Sequence, residues 1–370
     1  MMRRTPALYN GLVHEGWRRG AIISLLAFFC SPVLAAAARA DEQVEVGPTP
    51  VLNVHLNRGK LTIQTWDRQE VQISSDRPVD VRHLEPDSVD PRIPKQLQMS
   101  SQRVQTDHGT VTLPAESFVL PMLPGSQHDA VLARGSGAMT ITIPRNTAMV
   151  IAHLRAGHLT ISNYNGVFVA HSHSGGITLN GVTGTGFVES LRGPIDATNS
   201  TFDRLRVRTA TGNMFFENCT SHQIQATSSY GSIVYDNGDF QPGLARFESE
   251  HGDVALGVRG GAQIGAHSGT GHVVSSFQDQ AQVRGDPATK QATVGGGGPI
   301  VTATSKEGSV FLYSGSMNEH PRVQQQLNGS ARLPMEPFVP APTTAPRPQP
   351  AQRPPQRPHP PSQPPPGISV

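Results

Sequence analysis

The chain has 370 residues, and its 30 basic and 28 acidic side chains leave a formal net charge of +2, so nothing in the charge calls for nucleic acid as a partner. Thirty-seven glycines, 32 prolines, few aromatics and 16% charged residues argue against a helical protein and for an exported all-β one. Of the two cysteines, Cys30 lies in an N-terminal leader, so Cys219 would stand alone in the mature chain without an intramolecular disulfide.

Residues 1–40 read as a secretory signal peptide. Arg3, Arg4, Arg18 and Arg19 precede an apolar run at residues 21–29, and Ala38-Arg39-Ala40 offers a small-x-small cleavage site before Asp41. An uncleaved anchor is the rival reading, but the run is short for a span and Pro32 interrupts it. No second span is expected in the mature chain.

Residues 41–136 form an N-terminal segment. Strands are expected at Val51-Leu52-Asn53-Val54-His55-Leu56 and at residues 59–73. From about residue 85 prolines break the rhythm, with one further strand-like phrase at Gly109-Thr110-Val111-Thr112-Leu113. This insert is expected to be an irregular edge rung with a loop or a cap, because an open terminal rung exposes unpaired backbone groups.

Residues 137–318 carry the regular repeat. Gly137, Gly157, Gly175, Gly193, Gly212, Gly231, Gly252, Gly271 and Gly308 each open the same phrase: Gly, any residue, an apolar residue, a mostly polar one, then usually another apolar one. Gly157-His158-Leu159-Thr160-Ile161 is an example. The step is about 19 residues, and alternation with period two marks a half-buried strand. A second apolar pair lies upstream of each glycine, as in Val167 and Val169 or Ile224 and Ala226, giving two strands per repeat. Such a unit cannot close its own core and must stack on the next, so the fold class is an all-β β-solenoid or β-roll, a stiff stack of about ten rungs. Corners are expected at Asn163, Asn180-Gly181, Asn199-Ser200, Asn218 and Asp236-Asn237-Gly238-Asp239. Cys219 reads as a small corner residue, and the glycines at 295–298, which lack the Lys-Ser or Lys-Thr of a phosphate loop, as a flexible connection. Residues 319–370 are expected to be a disordered, proline-rich, basic tail, either a spacer gripping anionic polymer, a ligand for a proline-binding partner, or a solvated linker.

The run from Gly59 through Trp66-Asp67-Arg68 to Ile73, the Met139-Thr140-Ile141-Thr142-Ile143-Pro144-Arg145-Asn146-Thr147 segment and the rungs resemble the bacterial putative-adhesin family of β-strand repeats. That family is toastrack-like and related to putative autotransporter-head adhesin domains. The resemblance spans about residues 44–314, and its most specific pieces are Trp66-Asp67-Arg68 and Ile143-Pro144-Arg145-Asn146. It implies a right-handed β-solenoid in the cell envelope, with adhesion inferred from architecture. The insert before Gly137 and the gap near 295–298 depart from the pattern.

Fifteen histidines invite a metal reading. His171 and His173 share a strand face, one period after His153, so stacking is expected to bring His153 beside His173; His251 and His272 are similarly related. Asp236-Asn237-Gly238-Asp239 resembles an oxygen-ligand loop for calcium. Read as surface polars and a turn, neither is assigned as a site: catalytic none, cofactor none, metal none. Arg204, Arg206 and Arg208 share one strand face and read as a solvated stripe or a surface for anionic glycan. A polysaccharide lyase or hydrolase on a β-helix would need carboxylates on adjacent rungs, yet Glu189 is 19 positions from Arg208 and Asp196 19 from Phe215. The expected function is an exported, non-catalytic module in the periplasm or on the cell surface, binding an envelope polymer, glycan or surface protein by many weak contacts. A sensory ectodomain acting through a separate membrane partner is the other non-enzyme reading.

Overall fold

The computed structural model describes residues 40–85, 96–107, 109–121, 123, 128–277 and 281–330. The expected signal peptide, Ala40 apart, and residues 331–370 of the expected tail lie outside the described residues. The chain divides into two compact units, residues 1–104 with 112–206 and residues 105–111 with 207–370.

The chain opens with β1 (Ala40–Glu45), β2 (Val51–Trp66), β3 (Glu70–Ser75) and β4 (Asp80–Leu84), then the short strands β5 (Gln96–Met99), β6 (Gln102–Thr106), β7 (Gly109–Leu113) and β8 (Glu116–Val119). Long strands β9 (Ala130–Pro144) and β10 (Met149–Ser162) follow, then β11 (Asn165–Ser174), β12 (Ile177–Asn180), β13 (Thr183–Arg192), β14 (Ile195–Thr198) and β15 (Thr201–Thr211). Each regular rung has the two strands that the alternation requires, paired in parallel with the rungs beside it. Core residues consequently form columns: Leu61, Leu159, Ile177 and Ile195 stand in register, as do Ile63, Ile161, Leu179 and Ala197, and all eight are fully buried. Burying each large aliphatic side chain is worth about 1.5–3 kcal/mol, which the column collects at every rung.

The corner glycines are dictated by close approach. At Gly175 φ is +131°, and an added Cβ would lie 1.6 Å from the carbonyl oxygen of Gly157, a clash with backbone that no rotamer relieves. The same contact reveals the order of the rungs. Gly157 lies against Gly59, and Gly59 against Gly137, so in the first unit the stack runs Gly137, Gly59, Gly157, Gly175, Gly193. Strand β2 is inserted between β9 and β10, with Val54 in register with both Ala133 and Ala152. Rungs 137 and 157 are therefore not neighbours, as chain order would have them.

The outer edge of β9 is closed by antiparallel strands: Ile73 of β3 pairs with Ile141, Arg82 of β4 with Leu132, and β1 continues the cap on β3. The insert does not cap this end. Its β5 and β8 form an antiparallel pair, and Phe118 and Leu120 pack with Val51, Met149, Ile151, Val167, Val169 and Phe187 across the flank of several rungs. Nor is the Gly109 phrase a rung: an added Cβ there would meet nothing within 4 Å, unlike the stacked glycines.

The second unit repeats the device. It contains β16 (Met214–Glu217), β17 (Thr220–Tyr230), β18 (Ile233–Phe240), β19 (Leu244–His251), β20 (Val254–Val258), β21 (Ala262–Ser268), β22 (Val273–Ser275), β23 (Ala281–Gly285), β24 (Thr289–Val294), β25 (Ile300–Ser305) and β26 (Val310–Ser314). Ala245 and Ile264 both pair with Val301, and Val254 and Val273 both pair with Val310, so the Gly308 rung lies between those of Gly252 and Gly271. Antiparallel β24 then covers β21, and β23 covers β24. Residues 295–298 make the turn from β24 to β25.

Asparagine corners carry positive φ at Asn163, Asn199, Asn218 and Asn237, the left-handed conformation that Asn tolerates best after Gly. Cys219 is a buried free thiol whose Sγ lies 3.4 Å from the Glu217 carbonyl oxygen. The start of the expected disordered tail is ordered: helix α1 (Pro321–Ser330) places Val323 and Leu327, four residues apart, against Ala255, Phe311 and Tyr313. Proline at the first helical position suits this start.

Candidate functional site

The inserted rung creates the site. On the first unit, the outward side chains Arg134 of β9, His55 of β2, His153 of β10, His171 of β11 and Glu189 of β13 stand in register on five adjacent parallel strands. Residues 55 and 134 are far apart in sequence, and His55 meets both Arg134 and His153 only because β2 is intercalated. The His55 and His153 rings stack with centroids 4.8 Å apart and planes 14° off parallel; His153 and His171 are tilted, 5.8 Å apart. His171 Nδ1 lies 2.8 Å from Oε1 of the fully buried Glu189 without hydrogen-bond geometry, and that oxygen accepts from Gln102 Nε2 at 3.3 Å. Asn57, Arg155 and His173 extend the face by a second row, and these three with Arg134, His55, His153 and His171 line an open cleft of about 590 Å³.

Burial lowers the pKa of His153 to about 4, with further depression from His55 and His171 that Glu189 partly offsets. His55 is lowered chiefly by burial and then by Arg134. Around neutral pH these two imidazoles are uncharged, each with one donor and one acceptor nitrogen.

Other candidate residues are placed differently from the expectation. His153 lies beside His171, not His173, because the local period is 18 residues rather than 20. His251 is separated from the His272 rung by β25 and β26; it stacks on Tyr230 at 4.3 Å and reaches Glu307 at 2.6 Å. Among the described residues no three His, Cys, Asp or Glu side chains converge on one point as a metal ion requires. The parallel His55 and His153 rings show why: ring lone pairs lie in the ring plane, so stacked imidazoles do not aim at a shared point.

Asp236 is spent on structure. Its carboxylate accepts from Tyr313 Oη at 3.0 Å, Ser316 Oγ at 3.2 Å and the Met317 amide at 2.7 Å, which ties down the turn leading to α1. Arg204 and Arg206 are not a free stripe. They donate to the Val119 and Ser117 carbonyls at 2.7 and 2.9 Å and sit over the Phe118 ring, clamping β8 to the flank. Asp196 stands in register with Thr178, and Glu189 with His171.

These features define the class: a parallel β-solenoid repeat protein whose stacked strands present side chains in rows. The family described as Toastrack DUF4097 matches residues 69–312, and the chain belongs to that family. The two pieces on which the resemblance chiefly rested are neighbours, since Trp66 pairs with Pro144 and Arg145 Nε reaches Asp67 Oδ1 at 2.5 Å, although Trp66-Asp67-Arg68 lies just before the matched residues. Among solved structures, the crystal structure of a putative cell adhesion protein from Clostridium sporogenes ATCC 15579 matches at 11% identity over 75% of this chain and 99% of that one, with a TM-score of 0.22. A superposition that loose carries no argument about function. No curated protein matches the chain.

Proposed function

We propose that this chain is an exported, non-catalytic binding module of the cell envelope, which holds a polymeric or repetitive partner by rows of side chains displayed on its strands. The observation that supports the reading is the in-register row of Arg134, His55, His153 and His171, one side chain per strand on adjacent parallel strands, with the buried Glu189 at its end. A repetitive partner meets such a row with many weak contacts that add by multivalency. The strands hold the groups in place before binding, which lowers the ordering cost of each contact. Binding is favoured over catalysis because the acid of the row, Glu189, is fully buried behind His171 and Gln102.

The test is retention of the purified mature chain, with and without residues 331–370, on isolated envelope fractions at low and high salt. Saturable retention on one fraction is the expected result. Absence of retention on every fraction would overturn the reading, and loss on removing residues 331–370 would move the contact from the solenoid to the tail.

A further inference from the structure

We propose that the cleft lined by Arg134, His55, His153, His171, Asn57 and Arg155 binds a carboxylate-bearing polysaccharide, running across the strands with one acidic sugar unit to a rung. This rests on the binding-module reading and names the ligand chemistry of its site.

Three observations converge on that class. First, the cleft offers uncommitted donors. Arg134 and Arg155 are exposed and make no hydrogen bond or ion pair with any described residue, and the ring nitrogens of His55 and His153 make none either. Arg204 and Arg206 on the same unit, by contrast, are consumed by carbonyls and a ring. Two free guanidiniums flanking neutral imidazoles suit carboxylates with hydroxyls between them, since Arg binds carboxylate with two parallel hydrogen bonds.

Second, the donors repeat at the rung spacing. His55 and His153 are 4.8 Å apart, and His171 follows at 5.8 Å. That step is close to the rise of one pyranose in an extended glycan, and it matches neither the 3.2–3.4 Å per residue of an extended peptide nor the roughly 6.5 Å between its side chains on one face. A linear chain of acidic sugars keeps its groups in step with the row, whereas an acidic peptide drifts out of register after one residue.

Third, the shape and floor fit. A cleft of about 590 Å³ is within the usual range for small-ligand sites and has room for a short oligosaccharide. The buried Glu189 beyond His171 sets the polarity of the row, because an incoming carboxylate is repelled there and drawn towards Arg134 and Arg155.

Binding of an anion is coupled to protons. The groups facing the cleft are Arg134 from β9, His55 and Asn57 from β2, His153 and Arg155 from β10, and His171 and His173 from β11; Asp80 of β4 stands in register with Arg134 at one end of the row, and the buried Glu189 of β13, with Gln102 of β6 on its carboxylate, lies behind His171 at the other. A carboxylate placed beside His55 and His153 favours their charged forms, so the complex takes up protons and tightens as pH falls.

The experiment is calorimetric titration of the full chain with a linear oligogalacturonate at pH 7.5 and pH 5.5. A neutral malto-oligosaccharide, polyphosphate and polyglutamate are titrated in parallel. The expected result is saturable binding of the oligouronate alone, roughly tenfold tighter at the lower pH, with a heat that varies with the buffer's ionisation enthalpy in the sense of proton uptake. Arg134→Gln and Arg155→Gln should each weaken it about tenfold, whereas Arg246→Gln, which removes a surface partner of Glu248, should not. Failure of the oligouronate to bind, equal binding of polyphosphate or polyglutamate, or indifference to both cleft substitutions would overturn the assignment. If the wild-type chain and the Arg134→Gln/Arg155→Gln double variant are retained equally on envelope fractions, the cleft assignment fails while the binding-module reading stands. Oligouronate binding without envelope retention would do the reverse.

Discussion

The substitution Gly175→Ala probes the stack at its tightest point. The new Cβ would stand 1.6 Å from the Gly157 carbonyl oxygen, 2.7 Å from its carbon and 3.0 Å from its nitrogen. These are backbone atoms, so the rungs themselves must separate. Holding a non-glycine residue at φ +131° costs about 1–3 kcal/mol. Separation also weakens the hydrogen bond that the Leu159 amide donates across the same two rungs to the Gly176 carbonyl, 3.0 Å long, worth about 1 kcal/mol. It further loosens the buried Leu159 and Ile177 pair, so the total is about 3–5 kcal/mol, a large share of the 5–15 kcal/mol that holds a typical domain. For a fold of this size that lowers the melting temperature by on the order of 10 °C. The assay is thermal melting followed by circular dichroism in the strand band, with Gly265→Ala as control, because an added Cβ there meets nothing within 4 Å. The control should melt within a degree or two of wild type. If Gly175→Ala melts with the control, the glycines do not stack as described.

Further expectations follow from the cleft and the C-terminal anchor. His153 titrates near 4 in the folded chain and near 6.5 when unfolded, so the unfolded chain binds more protons between those values. Its contribution is whole above pH 6.5 and lost as pH falls through 4, by about 3 kcal/mol. Urea melts across this window should show that slope flattened in His153→Gln, and an unchanged slope would mean that the imidazole is solvated. Asp236→Ala leaves the buried Tyr313 hydroxyl without its acceptor and frees the turn before α1, a loss of about 1–3 kcal/mol. Hydrogen exchange should then accelerate in residues 321–330 while β16 and β17 keep their protection; equal exchange in both proteins would show that Asp236 does not anchor the helix.

Much of the rung was legible in the residues. Each glycine phrase puts two apolar side chains inward, and Leu159, Ile161, Ile177 and Leu179 are the columns that alternation implies. The asparagine corners were likewise visible, because few other residues accept positive φ. Rung order was not. The Gly59, Gly137 and Gly157 phrases present equivalent edges, so periodicity describes any rung equally well and says nothing about which two it separates. The cleft inherits that silence: His153 and His171 are near in sequence, but Arg134 and His55 join them only through the intercalated strand. The partners of Arg204 and Arg206 were hidden for a related reason, since they are backbone carbonyls of an insert whose own pattern is irregular. Helix α1 did leave a signal, in the spacing of Val323 and Leu327, masked by the glutamines between them and the prolines beyond.

The intercalated order carries both the fold and the cleft, and cysteine cross-linking reads it directly. In a Cys30→Ser/Cys219→Ser background, Thr62→Cys with Thr160→Cys puts thiols on register partners of adjacent strands, whereas Thr140→Cys with Thr160→Cys puts them on either side of β2. Neighbouring strands are about 4.8 Å apart, within reach of a disulfide, and twice that distance is beyond it. Under mild oxidation the first pair should close rapidly, seen as a mobility shift on non-reducing gels, and the second should stay reduced. Rapid closure of Thr140→Cys with Thr160→Cys, and none of the other pair, would put the rungs back in chain order and contradict the account.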